Sequence, residues 1–206
     1  MQNRWRDEEA AGFIDKYAPK WGEDLALRVY SSRLLGGEED LVLHGGGNSS
    51  LKSTHTNLLG ERIPAIYVKA SGHNMATIEP EGFPGLDLDC LRKLRALDKL
   101  SNEIMMGEYR TRLLAAGAPT PSVEALVHAF LPHKFIDHTH ADATNWFACS
   151  ADGEKLAREC FGDELVWIPY RRPGFLLSKQ VSDGVRRNPK ATCVILAKHG
   201  FINWGR

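Results

Sequence analysis

Apolar residues recur at helical spacing through the first part of the chain. Ala11, Ile14, Leu25, Leu27, Val29, Tyr30 and Leu34 predict a helical entry over 7–35 that Gly36-Gly37 ends. Two short apolar runs follow. Leu41-Val42-Leu43 reads as a strand leading into Gly45-Gly46-Gly47-Asn48-Ser49-Ser50, and Ile66-Tyr67-Val68 as a strand ending at Ser71-Gly72. Leu91, Leu94, Leu97, Leu100 and Ile104 again sit three or four apart, predicting a helix over 86–109. Pro119-Thr120-Pro121-Ser122 reads as a turn with Ser122 as N-cap, opening a helix over 123–131 with Glu124 in its first turn. Residues 134–140 and 193–198 read as strands, the second followed by Gly200 and a short Phe201-Ile202 extension. Strands alternating with helices predict one layered α/β domain, with the sense of strand pairing left open by the pattern.

Composition narrows the function classes. The 206 residues carry 26 Lys plus Arg and 26 Asp plus Glu, so the formal net charge is zero. A dedicated nucleic-acid binder carries a basic excess, which this chain lacks. The longest apolar run, Cys193 to Ala197, is far short of the roughly 20 residues of a membrane span. No basic start followed by an apolar stretch precedes the domain, which predicts a cytoplasmic protein without a signal peptide. Cys90, Cys149, Cys160 and Cys193 show no Cys-x-x-Cys spacing, so they predict reduced thiols and not a thiolate metal site. The sequence stops six residues after Gly200, in or just beyond a strand, which predicts a fragment of a longer polypeptide.

The chemistry-bearing residues cluster in a few places. In Asp137-His138-Thr139-His140-Ala141-Asp142, His138 and His140 alternate on a strand and so present two imidazoles on one face. Two imidazoles with one or two further ligands suit zinc or a similar divalent ion; two polar residues on a solvated face are the plain alternative. His199 follows an apolar strand, where a buried element meets the surface, and Gly200 beside it permits close approach of another group. By itself it reads rather as a capping or surface histidine, and Glu124 by itself as an acid that complements a helix dipole. The 45–50 segment is neither a dinucleotide fingerprint nor a Walker A loop, but its glycines and the donors of Asn48, Ser49 and Ser50 suit an anion. Ser71-Gly72 is a weaker case of the same kind. His128 and His133 read as structural or supporting residues, His44 as support for the glycine loop, and His55 and His73 as surface residues.

The order of these motifs resembles the class II aldolase/adducin family: Gly45-Gly46-Gly47-Asn48-Ser49-Ser50, Ser71-Gly72 with Ile78-Glu79-Pro80, Ser122-Val123-Glu124, His138-Thr139-His140, and Lys198-His199-Gly200. The segments 43–48, 76–79, 82–88 and 132–143 are most similar to the aldolase half of bifunctional rhamnulose-1-phosphate aldolase/alcohol dehydrogenases. The resemblance implies a three-layer α/β/α fold with a central mixed sheet. It implies a single domain over 1–206 without the family's C-terminal helices or a following dehydrogenase domain. It assigns His138, His140 and His199 as zinc ligands, with an open position for substrate, and Glu124 as the catalytic acid/base. It places Gly47, Asn48, Ser49, Ser71, Gly72 and Ser122 against a substrate phosphate. Cleavage of a ketose 1-phosphate to dihydroxyacetone phosphate and an aldehyde such as lactaldehyde is the implied reaction. The implied partners are a small sugar phosphate and other copies of the chain in a cyclic tetramer.

One departure stands out. Fuculose-phosphate aldolases carry two serines before the glutamate, and Val123 removes one of those hydroxyls, which leaves an unphosphorylated substrate open. Asp137 and Asp142 are adjacent carboxylates that could orient the imidazoles, but strand alternation turns them away. Other readings are a sugar-phosphate 4-epimerase, a non-catalytic adducin-like binding module, and a metallohydrolase. The last is weakened because Ala143, followed by Thr144, stands where a His-x-His-x-Asp-His motif would need histidine.

Overall fold

The structure, a computed structural model, describes residues 2–205. The helical entry is two helices, α1 (Asp7–Trp21) and α2 (Glu23–Gly36), because Gly22 adopts a left-handed φ of 80° between them. Strand β1 runs from Asn48 to Thr56 and pairs antiparallel with β2 (Arg62–Val68). The strand expected at Leu41–Leu43 is absent. That segment turns back on Glu38, leaves Leu43 exposed, and lays the Leu41 carbonyl against the amide of His140. The anticipated glycine loop therefore runs straight into β1, and Asn48, Ser49 and Ser50 are strand residues.

The helix expected over 86–109 is interrupted. It contains β3 (Gly85–Asp87), α3 (Leu88–Lys93) and α4 (Asn102–Thr111). Two caps inside the apolar repeat explain the break: Asp87 accepts from the Cys90 amide and Ser101 from the Ile104 amide. Next come α5 (Ala125–Phe130) and β4 (Phe135–Thr139). The unassigned stretch before residue 193 holds α6 (Asp142–Cys149), α7 (Gly153–Phe161), β5 (Leu165–Ile168) and α8 (Phe175–Arg187). The chain ends in β6 (Cys193–Leu196) and β7 (Gly200–Gly205), the latter a full strand where a short extension was expected.

The sheet order is β3-β2-β1-β4-β7-β6-β5, antiparallel except for the parallel β5–β6 pair, so the sheet is mixed. Strand alternation sends neighbouring side chains into different layers. Ile66, Val68, Ile136, Val194, Leu196 and Ile202 pack under α3, α4, α5 and α8. Leu51, Tyr67 and Phe135 face α1 and α2, while Cys193, Ile195 and Phe201 face α6 and α7. The result is the three-layer α/β/α architecture, with β4 and β7 at its centre.

Candidate metal centre and acid/base site

The site forms where the central strands end. His138 is the fourth residue of β4 and points, like Ile136, toward α5; His140 follows as the strand ends. His199 comes from the tight connection between β6 and β7, in which Lys198 holds a left-handed φ of 57° and the His199 amide donates to the Leu196 carbonyl. Gly200 completes the fit. A Cβ there would lie 2.6 Å from the Thr139 carbonyl and 2.9 Å from the rings of both His138 and His140, so no larger residue could sit under them.

These elements bring the three imidazoles together. One ring nitrogen from each of His138, His140 and His199 lies within 4.8 Å of the others. The Nε2 atoms of His138 and His140 are 3.1 Å apart. Tetrahedral ligands on zinc, at about 2.0–2.1 Å from the ion, stand about 3.3 Å from one another. His138 Nδ1 donates to the Phe201 carbonyl at 3.0 Å, which fixes the tautomer and leaves Nε2 facing the other rings. Burial, reinforced by the neighbouring imidazoles, pushes the His140 ring down to about 4, and burial also lowers His199, so both are neutral donors at pH 7. A set of imidazoles aimed at one point fits a divalent ion.

The N-cap position of α5 falls at Glu124 and not at Ser122 as expected, but the Glu124 side chain makes no cap bond; it is buried beside the cluster, and its amide donates to Ser122 Oγ. Its Oε2 lies 3.4 Å from His138 Nε2, and its Oε1 lies 3.5 Å from His199 Nε2. Burial raises its carboxyl, but the His138 and His199 rings and the Asn48 amide together outweigh that and hold it below the usual carboxylate value. Asn48, directly opposite His138 across the β1–β4 pair, donates from Nδ2 to Glu124 Oε2 at 2.8 Å and to Ser122 Oγ at 3.3 Å. Glu124 Oε1 has no hydrogen-bond partner among the described residues.

The anion-binding candidates divide. Gly45 abuts the backbone of Gly72, the Lys69 amide donates to the Ser49 carbonyl, and the Ser71 amide donates to Thr120, so the 45–48, 71–72 and 120–122 segments meet. Gly47, at a φ of 61°, packs against Val42 and the His138 carbonyl, where a Cβ would collide. Ser49 does not belong to this group. Its side chain projects through the other sheet face and pairs with Ser32 Oγ at 2.8 Å, as alternation from Asn48 requires. Asp137 is on that far face too, paired with Arg28, and Asp142 is exposed.

Two residues gain importance: Lys69, which sequence reading passed over, and His128, which it read as structural or supporting. Lys69 is buried, its Nζ donating to the carbonyls of Gly45 and Ala70 next to Ser71-Gly72, and burial lowers its ammonium to about 8. Nothing in the sequence separates it from a solvated lysine. His128, fully buried, contacts both Ser50 and Asn48. Its signal was available, since residues four apart on a helix share a face and Glu124 precedes it by four.

The sequence profile described as the class II aldolase and adducin N-terminal domain matches residues 27–206. The chain belongs to that family. A class II aldolase domain at the N-terminus of a conserved Thermoplasma acidophilum protein superposes with a TM-score of 0.86 at 36% identity, over 100% of this chain and 89% of that one. Among sequences, this class II aldolase family member is 40% identical over 205 residues to an uncharacterized oxidoreductase of Bacillus subtilis, YuxG, covering 100% of this chain and 29% of that protein. The chain thus spans less than a third of the length of that curated relative. A sugar-phosphate aldolase from Thermotoga maritima shares the fold at 13% identity and a TM-score of 0.61, over 86% of this chain and 84% of that one. Among the described residues, no helix is long and apolar enough to cross a membrane.

Proposed function

We propose that this domain is a zinc-dependent lyase that cleaves a ketose 1-phosphate, of the rhamnulose-1-phosphate type, to dihydroxyacetone phosphate and an aldehyde such as lactaldehyde. The observation that carries this reading is the buried Glu124 carboxylate set 3.4–3.5 Å from the nitrogens of two converging imidazoles. His138, His140 and His199 would hold the ion, which as a Lewis acid draws charge from a substrate carbonyl and hydroxyl. Glu124 is ionised and has one oxygen without a partner, so it can take a proton from, or return it to, the carbon left by C3–C4 cleavage. Asn48 holds the other oxygen of the same carboxylate. Lys69 behind Ser71-Gly72 supports a substrate that carries an anionic group, despite the hydroxyl lost at Val123. Other copies of the chain, arranged as a tetramer, belong to this reading as the family resemblance implies.

Metal analysis of the purified protein, with a panel of ketose 1-phosphates, tests the proposal. The expected result is about one zinc per chain and release of both a triose phosphate and a free aldehyde. An inverted C4 centre without free aldehyde would reassign the site to a 4-epimerase, and full-length protein that binds no divalent metal would leave an adducin-like binding module.

A further inference from the structure

On the α5 side of the sheet, β1 carries an unusual stripe for a buried strand. Asn48, Ser50 and Lys52 are alternate residues, so all three face α5, and all three are buried. His128 lies over the stripe with no exposed surface. Its Nδ1 is 2.8 Å from Ser50 Oγ, and its Nε2 is 2.5 Å from Asn48 Oδ1. The far side of the Asn48 amide reaches Glu124 Oε2 at 2.8 Å.

The direction of every bond in this chain is forced. A carboxylate only accepts, so Asn48 must turn its NH2 toward Glu124 and its carbonyl oxygen toward His128. That oxygen accepts, so His128 must carry its proton on Nε2. Burial, then the charge of Lys52, hold the ring well below the ordinary histidine range, which leaves it a single N–H. Its Nδ1 is therefore bare and accepts from the Ser50 hydroxyl. An amide does not relay protons as an imidazole does, so the sequence Ser50, His128, Asn48, Glu124 is an orienting chain and not a proton wire.

We propose that His128, set in its Nε2–H tautomer by Ser50, is a positioning residue that locks the Asn48 amide, so that Asn48 pins Glu124 Oε2 and leaves Oε1 as the oxygen that exchanges the substrate proton. This rests on the acid/base role given to Glu124 above. With the lock gone, Asn48 Oδ1 loses its donor and the amide, still drawn to the carboxylate by its NH2, is free to tilt and shift with it. Glu124 Oε2 is then no longer held at one point, and the carboxylate drifts off the reacting carbon. A histidine that merely fills the core would cost stability when replaced but would leave the Asn48 amide where it is.

The test uses the 15N-labelled, metal-loaded protein. Long-range proton–nitrogen spectra of the imidazoles should show His128 protonated at Nε2 and unchanged from about pH 5.5 to about pH 8.5. The Asn48 side-chain amide should resonate away from the solvent-exposed position. His128→Gln keeps an N–H at the same reach and should keep that resonance, and His128→Leu should lose it. In turnover, His128→Leu should lower kcat about 10- to 100-fold with KM within about threefold, and His128→Gln should recover most of the loss. An Nδ1–H tautomer, an Asn48 resonance unmoved in His128→Leu, or a glutamine variant that has lost it overturns the proposal. If the wild type cleaves no sugar phosphate, the aldolase reading fails, whereas the tautomer and the Asn48 resonance still decide the orienting chain. Should His128→Leu not fold, the wild-type tautomer and the glutamine variant decide it alone.

Discussion

Two buried polar clusters lie back to back across the same pair of strands. Behind β1 and β4, Ser49 meets Ser32 and Asp137 meets Arg28, so hydroxyl faces hydroxyl and anion faces cation. In front, one residue along on each strand, Asn48 and His138 join Glu124, His140 and His199. The rear cluster neutralises itself and ties α2 to the sheet. The front cluster gathers imidazole lone pairs and a carboxylate with no lysine or arginine among them, a donor set that fits a cation from outside the chain. Burial is the same in both, so burial alone does not identify a site; the balance of donors, acceptors and charge does.

The largest effect expected from breaking this contrast is at His138. His138→Ala should abolish metal retention after dialysis, and turnover with it, while far-UV circular dichroism stays native. Metal still bound at full occupancy would remove His138 from the ligand set. Glu124→Gln should separate binding from chemistry: zinc stays, and turnover falls by about 10² to 10⁴. Turnover within threefold of wild type at full occupancy would leave Glu124 with no catalytic role.

A smaller change is expected where the backbone supports the rings. Gly200→Ala places a methyl against His138 and His140, both 2.9 Å from the added carbon, and should weaken metal affinity about 10- to 100-fold, read by competition with a chelator. Acid should act more gently. The folded values of His128 and His140 lie below the ordinary histidine value near 6.5, so below that pH the unfolded chain binds more protons. Stability of the metal-free protein is therefore full above about pH 6.5 and falls as the pH drops toward 4. Denaturation midpoints at several pH values should show this, and His128→Gln should flatten the slope by at most about 1.4 kcal/mol per pH unit. The smallest effect belongs to the rear face. Ser49→Ala should cost about 1 kcal/mol and leave metal content and turnover unchanged; a tenfold loss of turnover would mean that the two faces are coupled.

How much of this was legible in the sequence depended on whether neighbours along the chain carried the signal. His138 and His140 were readable because alternation is local, and the order of the motifs linked them to Glu124 and His199. Ser49 was misplaced for a related reason. Its segment was read as a loop, where side-chain direction is free, but it is strand, where direction is dictated by Asn48. The 86–109 run kept helical periodicity across a break that caps at Asp87 and Ser101 impose, so the apolar repeat outlasted the helix itself. Lys69 was illegible because its burial comes from the Gly45 loop folding over it, a contact between distant segments.

The position of β7 has a consequence for how the protein assembles. It lies between β4 and β6, both made earlier, and joins the block β3-β2-β1-β4 to the block β6-β5. Until it is inserted, the two blocks share no strand pairing, and His199, at its entry, is held away from His138 and His140. Its pairing with β4 joins segments more than 60 residues apart, the kind of distant contact that slows a search through conformations. The third imidazole therefore arrives with the insertion of β7, so tight metal uptake during refolding should mark that step, and a chelating dye added at intervals would time it.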